Sequence, residues 1–262
     1  MKHPIKDKLS AIEKTLEILV SFADVDHEVG TVEVSEHTGI HKATVSRILG
    51  TLLEYGMVSQ NDETKKYTLG PLAYRLGRTQ TGQSISAFTS VSQKYIDELR
   101  DAVGETVSLE VWAERKTIAC YLAESKSPLR VAMASADVLP LHAPAGAKAI
   151  LAFVGQDHLD RLLSEDLPRF TEHTITSKTE LLERLVIFNK QGYSIDNQEL
   201  YPGIFAIGVP IFDRISKPVA AVSVVMPASR VTEKREAEIV QHLKRTSRAV
   251  SAAMSDGPNS FF

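Results

Sequence analysis

The chain has a single cysteine, Cys120, in 262 residues. That excludes an intramolecular disulfide framework and fits a reducing compartment. It also lacks a basic excess: 30 Lys and Arg against 33 Asp and Glu leave a net charge of -3. A globally basic nucleic-acid coat is therefore excluded, and any DNA binding has to rest on local charge. No apolar run approaches the roughly 18 to 20 residues needed to cross a bilayer. The opening "MKHPIKDKLS" has no apolar core of a secretion signal, so the expected location is the cytoplasm. Internal repeats and low-complexity tracts are missing as well. What remains is an ordinary globular composition, 43% hydrophobic and 24% charged, at a length that suits two domains.

Catalytic and metal signatures are also lacking. His142, Asp196 and Ser223 are the residue types of a hydrolase triad, but no serine lies in a G-x-S-x-G elbow and Ser223 falls in mid-strand. A ligand-processing enzyme with an accessory helical domain is accordingly the weaker alternative. His142, His158 and His173 show no compact metal-binding spacing, and neither metal nor cofactor is expected. Cys120 sits in the apolar run "TIACYLA", where a buried, inert thiol is the simplest reading, and the lone Trp112 reads as core. The charged "KREAEIVQHLKRTSR" reads as a solvated helix face.

The patterning that is present begins at Ser10 to Phe22. There Ile12, Leu16, Leu19 and Val20 recur at helical spacing behind a serine suited to capping. The polar "ADVDHEVG" reads as a loop. Thr31 to Thr38 predicts a short helix stopped by Gly39, and residues 41 to 55 a longer one with Val45, Ile48, Leu49, Leu52 and Leu53 on one stripe. Past Gly56, "MVSQ" and "KYTL" flank the turn-prone "NDET" as a hairpin. "GPLAYRLGRTQTG" reads as the start of a connector. Residues 85 to 103 regain helical spacing through Phe88, Val91, Tyr95, Leu99 and Val103.

In the second half, strand-like runs ("TVSLEVW", "TIACYLA", "LRVAM", "GIFAIGVPIF", "PVAAVSVVM") cluster in pairs. Helix-like runs ("PAGAKAILAF", "DHLDRLLSE", "KTELLERLVIFNKQ", "EKREAEIVQHLKRTSRAVSAAM") flank them, which predicts an α+β domain around a mostly antiparallel sheet. The tail "SDGPNSFF" is expected to be loose.

The stretch "HTGIHKATVSRILGTLLEYGMV" bears on function. A helix-turn-helix needs a small residue where its helices meet and a turn that tolerates positive φ, and Ser35 and Gly39 meet those needs. If the apolar stripe faces inward, Ala43 and Arg47 point away, Thr44 and Ser46 flank them, and His41 and Lys42 occupy the exposed first turn. That set suits a major groove. Arg47 can pair with guanine, Ala43 or the Thr44 methyl can meet a thymine methyl, and the other donors can hold phosphates. The hairpin with Lys65 and Lys66 would form a wing along the backbone or minor groove.

These residues, "VSEHTGIHKATVSRILGTLLEYGMVSQNDETKKYTLGPLAYRLG", resemble the winged helix-turn-helix of the IclR (isocitrate lyase regulator) family of bacterial transcription regulators. "PLHAPAGAKAILA", "GYSIDNQELYPGIFAIGVPIFD" and "PVAAVSVVMP" resemble that family's ligand-binding domain, so the likeness spans nearly the whole chain in the family's order. It implies a winged helix-turn-helix over 1–78, a connector helix over 79–103 and a GAF/PAS-like effector-binding domain over 104–255. It further implies double-stranded operator DNA as partner, a small organic-acid effector, no membrane, and dimers that pair into tetramers. The amino-terminal domains and connector helix would form the DNA-binding dimer.

By the same likeness, Gly146 and Ala147 would offer backbone N–H groups to an effector carboxylate, with Asp196 and Ser223 as polar pocket positions. Ala206 stands where some members have cysteine, and Val225 where some have a second serine. Both departures remove a polar handle. They imply a more apolar pocket than one built for glyoxylate-sized acids, and an aromatic or aliphatic acid as effector.

Overall fold

The computed structural model describes residues 9–23, 25, 27–77, 80–113, 116–133 and 138–255, so the tail beyond Ser255 lies outside the described residues. The chain separates into two compact units, residues 1–83 and 84–262. No helix among the described residues is long and apolar enough to cross a membrane.

In the first unit, helix α1 (Ala11–Ser21) opens on a closed capping box. The Ser10 hydroxyl accepts from the Glu13 amide at 3.2 Å, and the Glu13 carboxylate accepts from the Ser10 amide at 2.8 Å. Ile18, Ser21 and Phe22 face the core, whereas Ile12, Leu16 and Val20 are 73%, 55% and 61% exposed. The spacing that marks the helix therefore lies mostly on its outer face. Helices α2 (Thr31–Thr38) and α3 (Lys42–Glu54) follow, with Gly39 left-handed at φ 70° between them. Strands β1 (Val58–Gln60) and β2 (Tyr67–Leu69) pair antiparallel, with Gln60 opposite Tyr67. Ile18, Val34, Val45, Leu49, Val58 and Tyr67 close one core.

"PLAYRLG", read from the sequence as connector, is helix α4 (Pro71–Gly77). Proline is tolerated in a first turn, where no helical N–H partner is needed. Gly70 permits the abrupt entry, because a Cβ there would run into the Gly56 carbonyl oxygen.

Helix α5 (Gln80–Val103) leads into the second unit, whose six-stranded sheet is antiparallel throughout. Its order is β5 (Val138–Leu139), β4 (Lys116–Ala123), β3 (Thr106–Ala113), β8 (Pro218–Pro227), β7 (Ile204–Phe212), β6 (Ser194–Asn197). Because strand side chains alternate, each central strand serves two layers. Val107, Leu109, Val111, Ile207, Val222 and Val224 pack against α5 and α9 (Glu233–Ser255) through Leu99, Ile239, Leu243 and Val250. The opposite face carries α6 (Ala145–Leu151), with α7 (Gln156–Leu162) and α8 (Lys178–Gln191) outside it.

The α+β class with an antiparallel sheet holds, with two local corrections. "LRVAM" is not a strand: its residues form an irregular segment whose backbone is held by side chains instead of a ladder. Thr106 Oγ1 donates to the Val131 carbonyl at 2.8 Å, and the Arg230 guanidinium donates to the Leu129 carbonyl at 2.7 Å. The place beside β4 belongs to the two-residue β5. Strand β6, "SIDN", is not among the strand-like runs of the sequence because three of its four residues are polar; its pairing with β7 makes it a strand.

Candidate DNA interface and effector cavity

The first candidate site is the outer face of α3. Val45 and Leu49 are fully buried, so the helix has a fixed rotation, and His41, Lys42, Ala43, Ser46 and Arg47 are exposed with Thr44 at the edge. The turn before it is tightly bonded. Gly39 donates to the Ser35 carbonyl at 2.9 Å, and the Ser35 hydroxyl donates to the Ile40 carbonyl at 2.7 Å. His41 is the N-cap: its Nδ1 accepts from the Ala43 amide at 3.3 Å, which orders the first turn.

The hairpin is anchored to the loop before α2. Glu28 accepts from the Asn61 amide at 2.7 Å and the Thr64 hydroxyl at 2.8 Å, and these bonds hold its carboxyl below the usual range. Val29 bridges to Tyr67. Lys65 and Lys66 are exposed at the hairpin's end, Lys65 in a left-handed turn at φ 56°. Asp62 and Glu63 stand exposed in the same turn, so the wing's positive charge is offset locally.

The second candidate site is a cavity on the α6 side of the large sheet. It encloses about 50 Å³ and is lined by Asp196, Ala206, Ser223 and Val225, four of the six positions named from the resemblance. The register brings them together: Asp196 lies opposite Ala206, and Ala206 opposite Val225. Gly146 and Ala147 do not line it; Pro144 and Ala145 do. Gly146 has a different part, since its bare Cα lies against the Glu110 carboxyl, where a Cβ would collide. Gly208 likewise lets α6 press onto β7, because a Cβ there would sit 2.6 Å from the Ala145 carbonyl carbon.

Sequence reasoning passed over Glu110. It points to the same face of β3 as the cavity, is 2% exposed, and accepts from the Ser223 hydroxyl at 3.0 Å through Oε1. Its Oε2 has no hydrogen-bond partner among the described residues; the nearby Ser108 hydroxyl lies outside bonding geometry. Burial pushes Glu110 up to about 7, with Ser223 and Ser108 favouring the ionised form and Asp196 opposing it. Burial also pushes Asp196 up to about 6 against the pull of Lys148 and the Glu199 amide. The pocket is thus less apolar than the departures at Ala206 and Val225 implied. The signal for Glu110 was present: one acid on a strand otherwise built of apolar and hydroxyl residues.

Lys148 is the second omission, the only charge in "PAGAKAILAF". It is fully buried in an ion pair with Glu199, and burial draws the lysine down and the glutamate up, each toward its neutral form. The pair fixes the segment carrying Leu200 and Tyr201, which line the cavity, to α6. Asp196 reinforces it by accepting from the Glu199 amide at 2.7 Å.

No triad forms. His142 Nε2 lies 2.8 Å from the Pro168 carbonyl, Ser223 donates to Glu110, and Asp196 accepts backbone amides. Among the described residues no cluster could hold a metal ion.

Residues 84–252 match the family model for the bacterial transcriptional regulator IclR C-terminal domain, and residues 11–62 match the IclR helix-turn-helix domain. The chain is 32% identical over 249 residues to the HTH-type transcriptional regulator KdgR of Escherichia coli, covering 95% of this chain and 94% of that one. It is 27% identical over 253 residues to the transcriptional repressor IclR of the same organism, covering 95% and 92%. The crystal structure of the Thermotoga maritima IclR superimposes with a TM-score of 0.70 at 26% identity, over 92% of this chain and 97% of that one. The matched domains and relatives are those of DNA-binding regulators, not enzymes.

Proposed function

This chain belongs to the IclR family of bacterial transcriptional regulators, and we propose that it is a cytoplasmic repressor of a catabolic operon, controlled by a small organic acid. The observation that carries the DNA half is the rotation of α3. With Val45 and Leu49 buried, Arg47 and its neighbours are left to enter a major groove. His41, Lys42, Ala43, Thr44, Ser46 and Arg47 are the proposed reading and phosphate-contacting set, with Lys65 and Lys66 on the backbone beside them.

A palindromic operator requires two such heads, spaced by a whole number of DNA turns. The uncovered stripe of Ile12, Leu16 and Val20 on α1 supports a homodimer, since an apolar helix face of that extent is ordinarily covered. Two dimers pairing into a tetramer fit the family resemblance.

The proposed effector site is the cavity of Asp196, Ala206, Ser223 and Val225, with Pro144 and Ala145 at its α6 side and Gly146 packed behind it against the Glu110 carboxyl. Ligand and operator each favour one arrangement of the paired chains, so each biases the other by the same coupling free energy. A cavity of about 50 Å³ admits only a few heavy atoms as it stands. Typical ligand sites hold roughly 300–1,000 Å³, so an aromatic effector requires the segments of residues 129–133 and 198–203 to move outward.

The test is selection of bound duplexes from a random pool, followed by footprinting. Arg47→Ala should lose discrimination between selected and random sites while its effector affinity stays unchanged. An identical footprint from the variant would remove α3 as the reading element.

A further inference from the structure

A larger recess lies in the same unit and shares no lining residue with the effector cavity. It encloses about 410 Å³ between the C-terminal part of α9, the end of β7 and Phe153 just past α6. Strand β6 stops pairing at Ser194, opposite Gly208, so the last residues of β7 form an edge without a neighbouring strand. Helix α9 closes that edge. The Ser247 hydroxyl donates to the Pro210 carbonyl at 2.6 Å, and the Ser251 hydroxyl accepts from the Phe212 amide at 3.1 Å. An incoming peptide strand would find both of those backbone groups taken.

What the recess offers instead is aromatic surface and positive charge. The Phe153 and Phe212 rings meet edge to face on one wall, their centroids 5.0 Å apart. Lys244 and Arg248, one helical turn apart on α9, line another. Lys244 donates to the Gln191 carbonyl at 2.7 Å, and left-handed Gly192 leaves room for it, since a Cβ there would stand 3.5 Å from the ammonium. Arg248 uses its Nε on the Lys244 carbonyl at 3.2 Å. Among the described residues neither cation is paired with a carboxylate. Asp213 is the one acid on the lining, and its Oδ1 accepts from the Ile215 and Lys217 amides of its own turn. Two cations against one engaged acid favour an anion, and the terminal guanidinium nitrogens can grip a carboxylate as a fork.

We propose that this recess is a second ligand site, for a small aromatic carboxylate whose ring packs against Phe153 and Phe212 while its charge pairs with Arg248 and Lys244. Its volume falls within the roughly 300–1,000 Å³ of ligand sites. The effector cavity, at about 50 Å³, admits no ring as it stands. The proposal does not depend on the effector reading above.

The test is calorimetric titration of the full chain with benzoate, beside benzamide, which lacks the charge, and acetate, which lacks the ring. Benzoate should bind about tenfold or more tighter than either. Arg248→Gln and Ala252→Glu, both at exposed positions on α9, should each weaken benzoate about tenfold with the melting temperature little changed, and Arg248→Lys should keep part of the affinity. Benzamide binding as well as benzoate, or no binding at about 10 mM benzoate, overturns the proposal. Benzoate affinity that survives both variants places the acid elsewhere and overturns it too, leaving the effector cavity as the site to pursue. A chain that ignores benzoate but whose self-association in sedimentation weakens in both variants overturns it in favour of a second copy seated in the recess.

Discussion

Replacing Glu110 by glutamine should make the second unit more stable at pH 8 than the unaltered chain, with little gain at pH 5. The carboxyl is raised from 4.5 to about 7 by burial, so the folded chain holds this proton more tightly than the unfolded one. Stability contributed by the neutral acid is therefore fully present below about 4.5, and it is lost as pH climbs through about 7. The difference amounts to about 3 kcal/mol, most of it lost between about pH 5 and 8.

Asp196, raised from 3.8 to about 6, acts in the same direction over a lower window and remains in the variant. Its contribution is common to both chains and cancels in their difference, so the diagnostic range is about pH 5 to 8. Trp112 is the only tryptophan and lies in β3, so its fluorescence during urea unfolding reports on this unit. Glutamine adds a constant offset of about 1 kcal/mol from its own unpaired amide, which leaves the slope against pH unaffected. At equal protein concentration, the two curves should diverge by about 2 kcal/mol or more between pH 5 and 8. Parallel curves would refute the argument, because Glu110 would then titrate as an ordinary exposed acid.

Other expectations concern the wing, the buried ion pair and the cavity wall. Lys65→Asn, which tolerates the left-handed turn, and Lys66→Gln should each lower the slope of log affinity against log salt by about one for every phosphate no longer neutralised; an unaltered slope places the hairpin off the DNA. Lys148→Met should destabilise the second unit by about 3–5 kcal/mol in thermal or urea unfolding, because Glu199 stays buried without its cation. Adding Glu199→Leu to that variant should recover most of the loss, and failure to recover would mean the lysine acts through packing alone. Val225→Ser should improve binding of small polar acids measured by calorimetry, since it adds a hydroxyl to the wall; unchanged affinity would place Val225 away from the ligand.

The amino-terminal half was legible because its signals are local. Ser10 and Glu13 cap one helix, Gly39 turns the next, and the stripe from Val45 to Leu52 fixes the third. Periodicity does not say which of two apolar faces is inward. Ile12, Leu16 and Val20 on α1 therefore read like core in one dimension and stand exposed in three. The cavity was legible only through family likeness, and only where strands align like residues. Glu110 and Lys148 escaped because each is one charge within an apolar run, and what makes each notable is burial, a property of the assembled sheet. "LRVAM" misled for a related reason: its β-like composition lies across a sheet face, with Thr106 and Arg230 supplying the backbone partners.

The alternation of side chains in β3, β7 and β8 bears on how such a sensor diversifies. Leu109, Ile207, Val222 and Val224 hold the α5 and α9 side, while Glu110, Ala206, Ser223 and Val225 interleave with them and look the other way. Point changes in the second set leave the first undisturbed. Ligand preference can therefore drift by single steps at Ala206, Ser223 and Val225 with little repair of the scaffold, and a designer retargeting this protein would randomise those three before Glu110, which also sets the unit's stability.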